Sequence, residues 1–197
     1  MSLLNSPLVI LDLETTGLDS KTQRVTEVAL LRIESGLVVN TWQSLINPCI
    51  AIPQDNFEFT GISNQMVASA PLFHEVLGEL DGYLDGAVVV AHNASFDRGF
   101  LMEEFKRAGQ VFSRPMLCTV ELSRLLFPME KRHNLDSIIY RHNLQVESRH
   151  RAMGDVQLVW QWLQKMMQQQ DADELNIALD RAFSKSNRMM PQPPGVM

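Results

Sequence analysis

The chain has only two cysteines, Cys49 and Cys118, and their isolation argues against a disulfide framework or a cysteine zinc site. No apolar run approaches the roughly 20 residues needed to cross a bilayer. The start of the chain shows neither the basic beginning nor the long apolar segment of a secretory leader. A cytoplasmic location with no membrane partner is the expectation, and Asn93-Ala94-Ser95 carries no glycosylation meaning there. Positive charge is not in excess either. A net charge of −6 argues against a protein that holds nucleic acid mainly by covering phosphates with Lys and Arg. It leaves room for one that grips phosphate through bound metal, because clustered carboxylates carry negative charge that ions cancel. No internal repeat is visible.

What is present is a 197-residue chain, 45% hydrophobic and 20% charged, enough for one globular domain with an appendage. Leu8-Val9-Ile10-Leu11-Asp12-Leu13-Glu14, between Pro7 and Gly17, reads as a buried strand whose far end carries two acids. Side chains alternate along a strand, so Asp12 and Glu14 share a face, about 6 to 7 Å apart. Two desolvated carboxylates at that spacing need a cation between them, and hard oxygen ligands favour Mg²⁺ or Mn²⁺. The alternative is a strand end that runs into solvent with two exposed acids.

Val25–Ile33 and Leu37–Ile46 are strand-like runs joined by Glu34-Ser35-Gly36, an antiparallel hairpin. Pro48 and Pro53 open a loop expected to continue to about Gly61, after which Ser63 can cap a short helix. Leu72–Leu84 has helical spacing, and Ala87–Ala91 is a second apolar strand running into His92, Asn93, Ser95 and Asp97. A helix through Phe96, Phe100 and Phe105 follows, closed by Gly109. Met116–Val120 reads as a last strand, with helices at Leu122–Leu126, after Asn134, and from about Ala152 through Met167. The segment Leu144–Met153 reads as a loop. This order predicts an α/β fold: a mixed sheet, antiparallel in its opening hairpin strands and parallel thereafter, flanked by helices. Sites in such sheets lie beyond the carboxyl ends of strands, where Asp12, Glu14 and Asp97 would fall. Residues 1–170 are expected to form the domain, and 171–197 an amphipathic helix with a flexible Pro-rich tail. The basic neighbourhood of Lys131, Arg132, Arg141, Arg149 and Arg151 reads first as solvated surface.

Asp12-Leu13-Glu14-Thr15-Thr16-Gly17, His92-Asn93-Ala94-Ser95-Phe96-Asp97 and His150-Arg151-Ala152-Met153-Gly154-Asp155 are three acidic stations, in that order along the chain. Together they resemble the three motifs of the DEDDh, epsilon-like branch of 3′–5′ exonucleases, which includes the proofreading epsilon subunit of bacterial DNA polymerase III. The resemblance covers about residues 8 to 167. It implies a ribonuclease H-like fold and hydrolysis of phosphodiesters from a 3′ end, releasing nucleoside monophosphates. Asp12, Glu14, Asp97 and Asp155 are enough carboxylates to hold two Mg²⁺ or Mn²⁺ ions, and such a pair can stabilise both entering and leaving oxygens. Glu14 is expected to take part in catalysis as well as in binding metal. Histidine is the side chain suited to take a proton near neutral pH, and His150 is the expected general base.

The same resemblance places Thr15, Leu18, Thr60, Ile62 and Asn93 against substrate, with Ile62 wedging against bases and Thr60 near the 3′ end. As alternatives, Leu18 and Ile62 are ordinary core residues, and Asn93 fixes the loop that carries Asp97. The expected partner is a nucleic-acid 3′ end, DNA ahead of RNA because Thr15-Thr16 resembles the DNA-directed members. A DNA polymerase subunit is a candidate partner in a proofreading or repair role. An exoribonuclease on the same fold is the rival enzyme, and a non-catalytic interaction module is the rival from another class.

Overall fold

The computed structural model describes residues 3–147 and 149–188. Five strands, β1 (Leu8–Thr15), β2 (Val25–Glu34), β3 (Leu37–Leu45), β4 (Val88–Ala91) and β5 (Met116–Cys118), form one sheet in the order β3-β2-β1-β4-β5. β1, β2 and β3 pair antiparallel, while β4 joins β1 and β5 joins β4 in parallel. This is the mixed ribonuclease H-like arrangement expected from sequence. The β2–β3 hairpin closes through Ser35 and Gly36, both at positive φ (52° and 76°), as a two-residue turn between right-twisted strands requires.

Eight α-helices are described: α1 (Gln54–Thr60), α2 (Asn64–Val67), α3 (Phe73–Leu84), α4 (Ala94–Arg107), α5 (Thr119–Leu126), α6 (Leu135–His142), α7 (Ala152–Gln169) and α8 (Ala172–Asn187). The caps read from sequence are present, Ser63 accepting from Met66 N–H and Asn134 from Ser137 N–H. One expectation is corrected. The stretch after Pro53 is not all loop but holds α1, closed by Gly61 in the left-handed conformation (φ 72°).

The alternation of β1 divides the molecule. Leu8 and Ile10 pack with Val156, Val159 and Leu163 of α7, whereas Val9, Leu11 and Leu13 pack with Leu77, Leu80 and Phe100 of α3 and α4. α8 belongs to the first of these cores through Leu175, Leu179 and Ala182. It also covers the free edge of β5. Asn187 accepts from the Met116 N–H at 3.0 Å and donates to its carbonyl at 2.8 Å, and Ser186 Oγ accepts from the Cys118 N–H at 3.0 Å. The Pro-rich tail expected beyond it lies outside the described residues.

Candidate active site

Asp12 and Glu14 prolong the face of β1 that begins with Leu8 and Ile10, and that face is crossed by α7, whose first turn carries Asp155. One oxygen from each of the three carboxyls lies within 4.8 Å of the others. Asp97 comes from the opposite layer. It sits in the first turn of α4, directly after β4, and β4 runs parallel beside β1, so both strands end at the same edge. All four acids line one cleft of about 510 Å³.

This cluster is electrostatically unsatisfied by itself. Burial, then the charges of Asp97, Glu14 and Asp155, hold the Asp12 carboxyl well above its ordinary range. Burial, followed by Asp155 and Glu27, pushes Glu14 up to about 8. Burial also raises Asp97 to about 7, against the opposing effect of hydrogen bonds from backbone N–H groups of Leu13 and Asp97. Asp155 is raised too, again by burial, although Arg149 opposes the shift. Hard oxygen donors that converge and repel one another are what a divalent cation neutralises, so the residues fit a metal site.

Two arginines flank the cluster. Arg149 donates from Nη1 to Asp155 and from Nη2 to Asp136 Oδ1 at 2.7 Å, bringing one positive charge to the cleft. Arg151 reaches Glu27 on β2, which stands directly opposite Glu14 in the ladder. Between them, His150 adopts a left-handed backbone (φ 58°) and lines the cleft with its ring 4.0 Å from that of Phe59. His92 forms part of the wall. Burial, then Arg149, lowers it to about 4, so it is a neutral imidazole, with Nδ1 2.9 Å from Thr119 Oγ1.

Thr15, Leu18, Thr60 and Asn93 also line the cleft. Leu18 is 87% exposed, so it is not a core residue. Thr60 uses its hydroxyl internally, donating to the Asn56 carbonyl and accepting from the Ile62 N–H. Asn93 holds the left-handed turn into α4, a conformation asparagine tolerates. Ile62 stands apart from these. It is 0% exposed and packs with Ile52 and Val67 in a small core beside α2, which is the alternative weighed for it from sequence.

Sequence reasoning missed Asn56, Phe59, Asp136 and Glu27. Phe59 and Asn56 were hidden with α1, and the Pro53 and Gly61 brackets were the signal for that helix. Asp136 was visible only as an acid in the first turn of α6. Glu27 gave no signal, because a single acid in a strand pattern does not show what it faces.

A mixed sheet that gathers four acids and a histidine around the carboxyl ends of its central strands defines an α/β protein with an acidic cluster, fit for metal, beside an open cleft. The family model for exonucleases matches residues 9–163, and the chain belongs to that family. Over 181 residues it is 32% identical to the PolC-type DNA polymerase III of Oceanobacillus iheyensis, covering 89% of this chain and 13% of that protein. Over 158 residues it is 35% identical to the PolC-type enzyme of Thermotoga petrophila, covering 80% of this chain and 12% of that one. The chain therefore spans only about an eighth of the length of these relatives. The solved structure of exonuclease X in complex with 5′-overhanging duplex DNA superposes with a TM-score of 0.69 at 26% identity, covering 87% of this chain and 99% of that one. Escherichia coli exonuclease I in complex with a dA16 oligonucleotide shares the fold, with a TM-score of 0.79 at 14% identity over 91% of this chain and 43% of that one.

Proposed function

We propose that the chain is a 3′–5′ exonuclease that uses Mg²⁺ or Mn²⁺ to remove nucleoside monophosphates from single-stranded or frayed DNA ends, in proofreading or repair. The observation that carries this is the convergence of Asp12, Glu14 and Asp155 within 4.8 Å, with Asp97 and His150 on the same cleft. The relatives named as DNA polymerases and the neighbour solved with duplex DNA support DNA as the substrate. The unpaired cysteines suit a cytoplasmic setting.

Asp12, Glu14, Asp97 and Asp155 would hold the ions. A bound pair of such ions supplies charge stabilisation to the phosphoryl group and acidifies water. His150 accepts the proton of the attacking water on an imidazole nitrogen as the new phosphorus–oxygen bond forms. The bond to the 3′ oxygen of the penultimate nucleotide breaks, and that oxygen regains a proton from solvent. Leu18 and Phe59 offer apolar surface to the terminal base, which suits recognition by stacking with little sequence preference.

The test is hydrolysis of 5′-labelled single-stranded DNA and matched RNA with Mg²⁺, Mn²⁺ or chelator. A ladder shortening from the 3′ end of DNA is expected, absent with chelator and in Asp12→Ala. His150→Ala should lower turnover by about 10² or more while DNA affinity stays within about twofold. A ladder on RNA alone would transfer the reading to an exoribonuclease, and no metal-dependent cleavage of either would overturn it.

A further inference from the structure

The basic neighbourhood that sequence alone assigns to solvated surface has a defined shape. The connection between α5 and α6, together with the exposed face of α6, forms a groove of about 780 Å³. Asn134 and Asp136 line both this groove and the catalytic cleft, so the two adjoin. The connection is pinned. Arg141 Nη2 donates to the Glu130 carboxylate at 3.2 Å and to the Arg132 carbonyl at 2.7 Å. The His133 ring bridges Ser123 Oγ at 2.9 Å and the Glu130 carbonyl at 3.1 Å.

On this ordered frame the cations Lys131 and Arg132 are exposed and, among the described residues, have no carboxylate partner. The other adjacent basic pair, Lys106 and Arg107, is matched by Glu103 and Glu104. Beside Lys131 and Arg132 stand two large side chains with no packing role, Tyr140 at 90% and Met129 at 93% exposure. Unpaired cations next to an open aromatic ring are the combination that tracks a single strand, phosphates on the cations and a base on the ring.

We infer that this groove carries the strand under degradation on the 5′ side of the scissile phosphate, with Lys131 and Arg132 on its phosphates and Tyr140 stacked on a base. The inference rests on the exonuclease reading above. Six residues of helix separate Asn134 at the cleft from Tyr140, about 9 Å at 1.5 Å per residue. That is roughly three base steps at about 3.4 Å each, so Tyr140 meets a base only on substrates that extend about three nucleotides past the cleft.

The experiment compares wild type, Lys131→Ala/Arg132→Ala, Tyr140→Ala and Tyr140→Phe on single-stranded dT10, on the dinucleotide dT2 and on a duplex with a recessed 3′ end, with dT10 affinity measured across salt concentrations. The ratio of kcat/KM on dT10 to that on dT2 should fall about tenfold in the double variant and in Tyr140→Ala, and should be kept in Tyr140→Phe. The salt slope of dT10 affinity should become shallower by about 1.4 in the double variant, from two phosphate contacts at about 0.7 each. Unchanged dT10 affinity and cleavage, equal loss on dT2, or a loss confined to the duplex would each overturn the inference while leaving the exonuclease reading intact. A wild-type protein that cleaves no DNA would remove the reading itself, and the inference with it.

Discussion

Arg151 grips Glu27 with two hydrogen bonds, Nε to Oε2 at 3.0 Å and Nη2 to Oε1 at 2.6 Å, while the Ala152 N–H donates to the same carboxylate at 3.0 Å. Glu27 is therefore the anchor on β2 for the start of α7, 124 residues further along the chain. It sets where His150 and Asp155 stand on either side of that anchor. Arg151→Ala leaves a buried carboxylate with the helix N–H as its remaining partner. The loss should be about 2 kcal/mol, less than a fully buried pair would show because Arg151 is partly solvated. A urea titration would read it, and turnover should fall further than stability alone explains.

Leu18 and Ile62, equivalent in the sequence reading, should separate experimentally. Ile62→Ala removes packing from a fully enclosed position and should destabilise by about 2–4 kcal/mol with DNA affinity unchanged. Leu18→Ala removes an exposed side chain at the cleft, so stability should move by less than about 0.5 kcal/mol while KM rises. Paired denaturation and steady-state measurements on the two variants distinguish the roles.

The raised carboxyls make the ion-free protein sensitive to pH in a stated direction. Glu14 moves from 4.5 to about 8 on folding and Asp97 from 3.8 to about 7, so between those limits the folded state binds more protons than the unfolded chain. Stability from these groups is fully present below about pH 4 and is lost as pH rises through 7 to 8. In chelator, Tm should fall by on the order of 5 °C from pH 5 to pH 8.5. Mn²⁺ should restore more at pH 8.5 than at pH 5, and a flat profile in chelator would contradict the electrostatic account.

Arg149 supplies the positive charge that faces Asp155 and also counters Asp12. A divalent ion competes with that charge. Arg149→Gln should therefore tighten Mn²⁺ binding several-fold, by about 1 kcal/mol at partly solvated range, and should lower ion-free stability at pH 8. Free Mn²⁺ counted by electron paramagnetic resonance reads the first effect and a thermal melt the second.

Local chemistry makes most of this fold legible in the amino-acid sequence. Apolar and strand-like runs marked β1, β2 and β3, Ser35-Gly36 marked the hairpin, and Ser63 and Asn134 marked helix starts. The helix α1 escaped because its phenylalanines, Phe57 and Phe59, are exposed, so no apolar stripe of helical period betrays it. Ile62 was left between cleft and core for a related reason. An isoleucine in a short turn has no periodicity to tell a cleft from a core.

By itself the sequence determined which side chains could do chemistry: two acids at alternate positions of one strand must share a face, whatever surrounds them. Only the tertiary structure decided that Asp155 would meet them, because the meeting depends on α7 packing across β1 and on Glu27 seizing Arg151 from a neighbouring strand. It also decided that Phe59 would lie against His150 and that Lys131 and Arg132 would line the adjoining groove with no carboxylate partner among the described residues. Such relationships join residues far apart in the chain, and burial and charge pairing across that distance leave no periodic trace in the order of amino acids.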